Sequence, residues 1–462
     1  MTSATRFAVG LTVILTVFVF VSPSSGAKAP VSLQEMIDRA EPGSILEVPP
    51  GTYDGNITID KPLALLGIDS PIVDVGGAGN VFYVNSPDVT IEGFVIRNTG
   101  KSLDRENAGV SSDTSPRLVV RNNVFEDVLF GVFLRTSEES VIVGNIIGAK
   151  DLDLGRRGDG IRLWESPGSL VEGNTVIGGR DTVLWFTDNV IVRDNVVEGG
   201  RYGLHFMYSD NALIERNRLV GNSVGAFMMY SFDVTIRDNI MMENYGPSGY
   251  GLGLKDMDGV TATGNRFVGN RVGLYLDNSP SAAGVTQTFD SNVFAYNRVG
   301  VTFLPSVKNN TLTNNAFIDN GEQVGVQGSG TFSGNTWTVD GSGNYWSDFA
   351  GYDADGDGIG DTSYKASDLY SELTDNHPEL RFFDETPAAR AVDLAAQMFP
   401  VFRPRPKLED TAPLIEPVEL EPAVGGSRGE PILGALLAAA ALLAGAGSLI
   451  VFAGRSRRVA AS

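Results

Sequence analysis

The sequence predicts an all-β fold, a right-handed parallel β-helix with coils of about 22 residues, and three observations carry that prediction. Asparagines followed by an apolar or mixed triplet recur at Asn123, Asn145, Asn174, Asn195, Asn217, Asn239, Asn265, Asn292, Asn315 and Asn335; four of the intervals are 21 or 22 residues. A glycine followed by alternating residues keeps step with them, as in Gly131-Val-Phe-Leu-Arg, Gly160-Ile-Arg-Leu-Trp, Gly203-Leu-His-Phe-Met and Gly225-Ala-Phe-Met-Met. Alternation marks strands. Glycine is abundant, 55 of 462 residues, as short strands joined by tight turns require. A propeller blade needs about 40 residues or more, and a leucine-rich repeat carries its own leucine pattern. The repeated asparagines are expected to turn inward and bond to their copies above and below.

From the N-terminus, Arg6, the apolar run Phe7 to Val21 and the small residues up to Ala27 read as a secretion signal over 1–27. Ser32 opens a short helix through Ala40, which suits a cap over the first coil. The β-helix domain is assigned to 28–384. A short helix from Pro387 and a Pro- and Glu-rich linker then form a C-terminal tether over 385–430. The uncharged stretch in 431–454 is long enough to cross a bilayer as one transmembrane helix. Arg455, Arg457 and Arg458 in the tail 455–462 put that tail in the cytoplasm and the folded part outside, on the periplasmic or extracellular face.

Charge and composition narrow the function. A net charge of −21 disfavours nucleic acid and anionic lipid as general partners. The absence of cysteine excludes disulfides, thiolate metal sites and cysteine nucleophiles. Soft-metal chemistry is left to methionine and the two histidines.

Strand parity sorts the side chains after the repeated glycine. Val132 and Leu134, Leu204 and Phe206, and Leu252 and Leu254 face the core, so the residues between them face outward. One outward column is expected to read Arg135, Trp164, Phe186, Met207, Met229, Lys255, Asp277, and beside it Phe133, Arg162, Leu184, His205, Phe227, Gly253, Tyr275. Large apolar groups facing water mark a contact surface, with Trp164, Phe186, Phe227 and Lys255 as partner-binding residues, or they lie under a terminal segment such as the helix near Val392. Six of the nine methionines fall between 207 and 257. Met228 and Met241 belong to the core by parity. Met207 and Met229 share an outward position one coil apart, about 4.8 Å by strand spacing, with His205 nearby and Met257 in the next turn. Thioethers with an imidazole select Cu(I) over hard ions; a Met-rich protein-binding surface is the alternative.

The run Asp353-Ala-Asp355-Gly-Asp357-Gly358-Ile359-Gly-Asp361 follows the order of a calcium loop, with Asp353, Asp355, Asp357, the Ile359 carbonyl and Asp361 as ligands. Position 12 is Tyr364, so the usual bidentate glutamate is missing. A structural Ca²⁺ is expected there. Many β-helix proteins act on sugars, and Asp188 and Asp210 align one coil apart, near the separation of about 5 to 5.5 Å used by retaining glycosidases. Both precede asparagine in a turn, which favours a structural role over polysaccharide binding or cleavage.

The segments Gly158-Asp-Gly-Ile-Arg-Leu-Trp164, Gly200-Arg-Tyr-Gly-Leu-His-Phe-Met-Tyr-Ser-Asp210, Asn222-Ser-Val-Gly-Ala-Phe-Met-Met-Tyr-Ser231 and Gly246-Pro-Ser-Gly-Tyr-Gly-Leu-Gly-Leu-Lys-Asp-Met257 resemble the NosD family. The resemblance extends less specifically from Val31 to Leu414, including Asn344-Tyr-Trp-Ser-Asp348 and Phe399-Pro-Val-Phe-Arg-Pro404. It implies an exported, non-enzymatic β-helix protein that works with an ABC-type ATPase and permease and a copper chaperone to build the copper sites of nitrous oxide reductase. The C-terminal anchor is not expected throughout that family and the acidic loop is shared with other exported β-helix proteins, so neither supports the copper role.

Overall fold

Each coil contributes three short strands, and each strand pairs in parallel with its copy one coil on. The result is a right-handed solenoid of about 12 turns, with three sheets of 12, 13 and 12 strands. The first sheet runs from Ile45–Val48 to Asn310–Thr313, the second from Thr52–Asp54 to Tyr345–Trp346, and the third from Ile57–Ile59 to Glu322–Val326. The computed structural model describes residues 32–327, 333–366 and 408–417, with shorter stretches between 373 and 395. The segments read as secretion signal, membrane anchor and basic tail lie outside the described residues. Among the described residues no helix is long and apolar enough to cross a membrane.

Alternation puts one side of every strand into a single continuous core. Val132, Leu134, Leu163, Leu184, Leu204, Phe206, Met228, Leu252 and Leu254 are all fully buried. Met241 is buried as well and pairs with Leu219 and Phe267 on neighbouring coils. At the C-terminal end the filling becomes a ring stack, with Phe267, Phe294, Phe317, Trp346 and Tyr364 at successive centroid spacings of 4.9, 5.0, 4.3 and 4.3 Å. At the other end the helix Leu33–Arg39, N-capped by the Ser32 hydroxyl, buries Leu33 and Ile37 in the same core.

The sharp turn between the first and second sheets is held by the asparagine ladder. From Asn123 to Asn344 each amide donates to the next Oδ1 at 2.9–3.2 Å. Each Nδ2 also reaches a main-chain carbonyl, as Asn145 does at Val120 (2.9 Å), so a buried amide leaves no donor unmet. From Asn123 to Asn315 the residue before each ladder asparagine has positive φ, for example Gly144 (66°) and Asp194 (57°), which is why Gly, Asn and Asp recur there. The ladder ends on Asn344 rather than Asn335, which bonds to Asn310 at 3.0 Å instead. A second ladder, Asn244, Asn270, Asn297 and Asn320, holds the turn into the third sheet at 2.8–3.1 Å. On the outer side of the first sheet, Glu172 meets Arg193 (2.9 Å) and Glu215 meets Arg237 (2.6 Å), so opposite charges alternate along one column.

Part of the segment read as tether is folded. Leu408–Asp410 pairs antiparallel with Tyr364–Ala366, and Leu414 bridges Tyr345 and Ile359. Asp410 is fully buried. Its carboxylate accepts from the Asn344 amide nitrogen (2.7 Å), Trp346 Nε1 (2.9 Å) and Thr338 Oγ1 (2.8 Å), and so terminates the asparagine ladder. Hydrogen bonds to a buried charge are worth about 1.5–3 kcal/mol each, and orphaned donors cost more. Asp410→Ala should therefore lower stability by about 3 kcal/mol, whereas Asp410→Asn should lose less. The check is urea unfolding followed by tryptophan emission; an unchanged midpoint in the alanine variant would contradict this account of the C-terminal end.

Candidate functional site

The third sheet carries the outward face. Its strands Tyr202–Met207, Val224–Met229 and Tyr250–Lys255 lie in register, so that Trp185, Met207, Met229, Lys255 and Asp277 form one column. Met207 and Met229 are direct partners on adjacent strands and both are half-buried. Lys255 donates to Asp277 at 3.3 Å, which raises its pKa and neutralises much of its charge. Trp164 continues the column and packs edge-on against Trp185 at 5.3 Å.

Three expectations are corrected here. Phe186 does not belong to this column. The strand Asp181–Trp185 has a register irregularity between Asp181 and Val183, which puts Trp185 opposite Met207 and Val183, rather than Leu184, opposite His205. Phe186 falls in the following turn at φ 53° and is 40% exposed. Met257 is also misplaced: it is fully buried. Its position belongs to an inward hydroxyl column, Thr187, Ser209 and Ser231, in which the Ser209 and Ser231 hydroxyls accept the amide protons of Thr187 and Ser209 from the preceding coil at 3.0 and 2.9 Å. Met257 fills that inward site with an apolar chain and offers no sulfur to a surface ligand. His205 faces outward but is only 6% exposed.

His205 is enclosed by its neighbours. Trp185 and Tyr202 meet the imidazole edge-on at 5.1 and 4.8 Å, and Nδ1 lies 3.2 Å from Asp181 Oδ2. Asp181 also pairs with Arg201. Burial acts to raise the Asp181 carboxyl, yet the hydrogen bonds from His205 and Arg201 outweigh it and hold the pKa below its ordinary value. Such a carboxylate fixes ring orientation and leaves Nε2 as the donor atom available to a ligand. Phe227, opposite His205 on the next strand, lies over Gly253, where a Cβ would meet its ring at 2.3 Å.

One coil earlier, Asp159 is fully buried with Arg162 at 3.0 Å and Arg180 at 3.2 Å. Burial pushes its carboxyl up to about 6, against the pull of both guanidiniums. Neither Asp159, Asp181, Trp185 nor Tyr202 was singled out from the sequence. The hydroxyl column held the missing signal, since counting back two residues from Thr187 and Ser209 aligns Trp185 with Met207.

The acidic turn is self-contained. The two oxygens of Asp353 accept the Gly356 (2.6 Å) and Gly358 (2.9 Å) amides, and Asp361 accepts that of Ala354 (2.7 Å). Carboxylate oxygens of Asp353, Asp355 and Asp357 lie within 4.8 Å of one another. Ile359 forms an antiparallel bridge with Leu414. Asp188 and Asp210 prove to be turn carboxylates: they accept the amides of Asp210 (2.9 Å) and Phe232 (3.0 Å) in the next coil. A cleft of about 690 Å³, lined by Asp319, Glu322, Asp348 and Tyr364, sits at the C-terminal end and includes none of the outward methionines.

Fold and face define a parallel β-solenoid with soft donors and aromatic rings displayed on one sheet. The fold alone is shared with the A-module of mannuronan C-5 epimerase AlgE6 from Azotobacter vinelandii, at TM-score 0.52 and 17% identity over 66% of this chain and 93% of that one. The family model described as "Periplasmic copper-binding protein (NosD)" matches residues 147–351. A Pseudomonas aeruginosa protein described as "Probable ABC transporter binding protein NosD" is 32% identical over 80% of this chain and 88% of its own length. Its namesake from Stutzerimonas stutzeri is 28% identical over 84% and 90%. The chain belongs to the NosD family.

The Asp159 environment gives a pH test. Its folded pKa of about 6 exceeds the unfolded value of 3.8, so between those values the folded state holds a proton that the unfolded state lacks. Its contribution to stability therefore improves as pH falls from 7 toward 4.5, and Asp159→Asn should remove about 2 kcal/mol of that pH dependence. Urea midpoints of parent and variant at pH 7 and 4.5 measure it. Parallel pH dependences would show that the buried carboxyl is not shifted.

Proposed function

We propose that this protein is a non-enzymatic accessory in the assembly of the copper sites of nitrous oxide reductase. It is exported, held at the cytoplasmic membrane by 431–454, and acts outside the cytoplasm with an ABC-type ATPase and permease and a copper chaperone. Cu(I) is its cargo, taken by the Met207 and Met229 thioethers with His205 Nε2. The observation that carries this reading is the in-register pairing of two outward methionines beside an outward histidine, within the stretch matched by a copper-binding family model. Thioether and imidazole are donors that suit Cu(I) and need no thiolate. The rigid sheet spaces them without a loop having to order. Trp164, Phe227 and Lys255 form part of the surrounding contact surface. Against sugar chemistry, Asp188 and Asp210 are engaged by backbone amides.

Anaerobic Cu(I) titration of the purified protein should saturate, and the Met207→Ala/Met229→Ala double variant should bind at least tenfold more weakly with its thermal midpoint unchanged. Equal affinity in parent and variant would remove this site. The acidic turn is proposed as a structural Ca²⁺ site, supported by its converging carboxylates. Calcium should raise Tm of the parent and leave that of Asp355→Asn/Asp357→Asn unmoved; a rise of the same size in both would assign the effect elsewhere.

A further inference from the structure

The turn after the methionine column carries a feature that copper binding does not use. Phe186, Tyr208 and Tyr230 occupy the same turn position in three successive coils, and their rings stack at 5.2 and 5.1 Å with interplanar angles of 11° and 16°. They are 40%, 45% and 37% exposed, and Phe232 beside them is 48% exposed. All three stacked residues have left-handed backbone, φ 53°, 51° and 54°, a conformation that bulky side chains rarely adopt. The preceding and following turns place Glu165 (φ 50°) and Asp256 (φ 49°) at the same position, so a carboxylate stands at each end of the stack. The backbone there accepts polar residues, and rings facing water in these three coils are not something the turn needs.

The charge around the stack is one-sided. Among the described residues none of Glu139, Glu165, Asp188, Asp210, Asp233 and Asp256 forms an ion pair, whereas the acids of the first sheet are matched by arginines. Burial raises the Asp210 carboxyl, and Asp188 and Asp233 lift it further, so the carboxylates here repel one another. The nearest cation along the column, Lys255, is already paired with Asp277. The stack adjoins the methionines directly, because the amides of Phe186 and Tyr208 donate to the carbonyls of Met207 and Met229 at 2.9 and 3.2 Å.

We infer that the stacked rings Phe186, Tyr208 and Tyr230, with their rim of carboxylates that have no cation partner, form the docking surface for a partner protein segment that alternates arginine or lysine with apolar side chains. The rings would bury apolar area at the centre and the carboxylates would meet cations at the rim, the arrangement of a protein interface. This inference stands on the turn geometry and charge and does not require copper at Met207 and Met229.

The probe is a ten-residue peptide alternating arginine and leucine, with a glutamate–leucine peptide as control, titrated into the purified full-length protein. The arginine peptide should bind, weaken as salt is raised, and bind at least tenfold more weakly to Phe186→Asn/Tyr208→Asn/Tyr230→Asn, since asparagine suits the left-handed turn. That variant should keep its Cu(I) titration and thermal midpoint, which separates this surface from the copper reading. Equal binding of the two peptides, or undiminished binding by the variant, overturns the inference. Should the triple variant unfold, Glu165→Gln/Asp233→Asn, which leaves the rings in place, must weaken the arginine peptide, and failure to do so is equally decisive. Tighter peptide binding by Arg403→Gln/Arg405→Gln/Lys407→Gln would show the occupant to be the chain's own basic segment. A dimer that the triple variant dissociates would show it to be a second copy. Either result would replace the proposed partner.

Discussion

Parallel stacking at one fixed register is the constraint on which the rest of this molecule depends. A parallel strand pair repeats at about 4.8 Å, so any residue type kept at one position of the coil becomes a column along the axis. The buried asparagines lock that register. Each amide donates to the next coil and to a main-chain carbonyl, and a slip of one residue would leave those donors unpaired in the core while turning every apolar side chain outward. The same rule that stacks amides inside stacks methionines, tryptophans and tyrosines outside. What distinguishes this chain from a plain solenoid is therefore written in its outward columns.

Much of the architecture was legible because the columns are periodic. The spacing of Asn123, Asn145, Asn174, Asn195, Asn217 and Asn239 defined the coil, and parity alone put Met207 and Met229 side by side facing out. The failures fall where periodicity is interrupted. One irregular residue near Asp181 exchanged Trp185 for Phe186. Met257 was judged by its chemistry, although its position belongs to the inward hydroxyl column of Ser209 and Ser231. The hydrogen bond between His205 and Asp181 joins neighbouring coils through side chains 24 positions apart. No local pattern announces it. Asp410 was hidden for a related reason: its partners Asn344 and Trp346 are 66 and 64 residues away, and a Pro- and Glu-rich composition reads as tether.

The two long sides of the solenoid are unlike in electrostatics. Along the first sheet glutamate and arginine alternate from coil to coil and cancel locally. At the turns that follow the third sheet, Glu139, Glu165, Asp188, Asp210, Asp233 and Asp256 form no ion pair among the described residues. Those carboxylates stand beside the stacked rings and the outward sulfurs. A surface of this kind orients an approaching basic molecule before contact. The buried carboxylates of Asp159 and Asp181, with Arg162 and Arg201 as ion-pair partners, lie on the same side.

Asp410 also has a consequence for biogenesis. The terminal coil receives its seal from a residue far downstream, so a ribosome must release nearly the whole folded part before the last rung can close. Until then the final strands present free edges and an unmatched amide, the kind of surface that recruits a neighbouring chain. A solenoid that could otherwise wind up coil by coil from its first turn is thereby made to wait for its end, and a chain cut short before Leu408 would keep an open, adhesive rim.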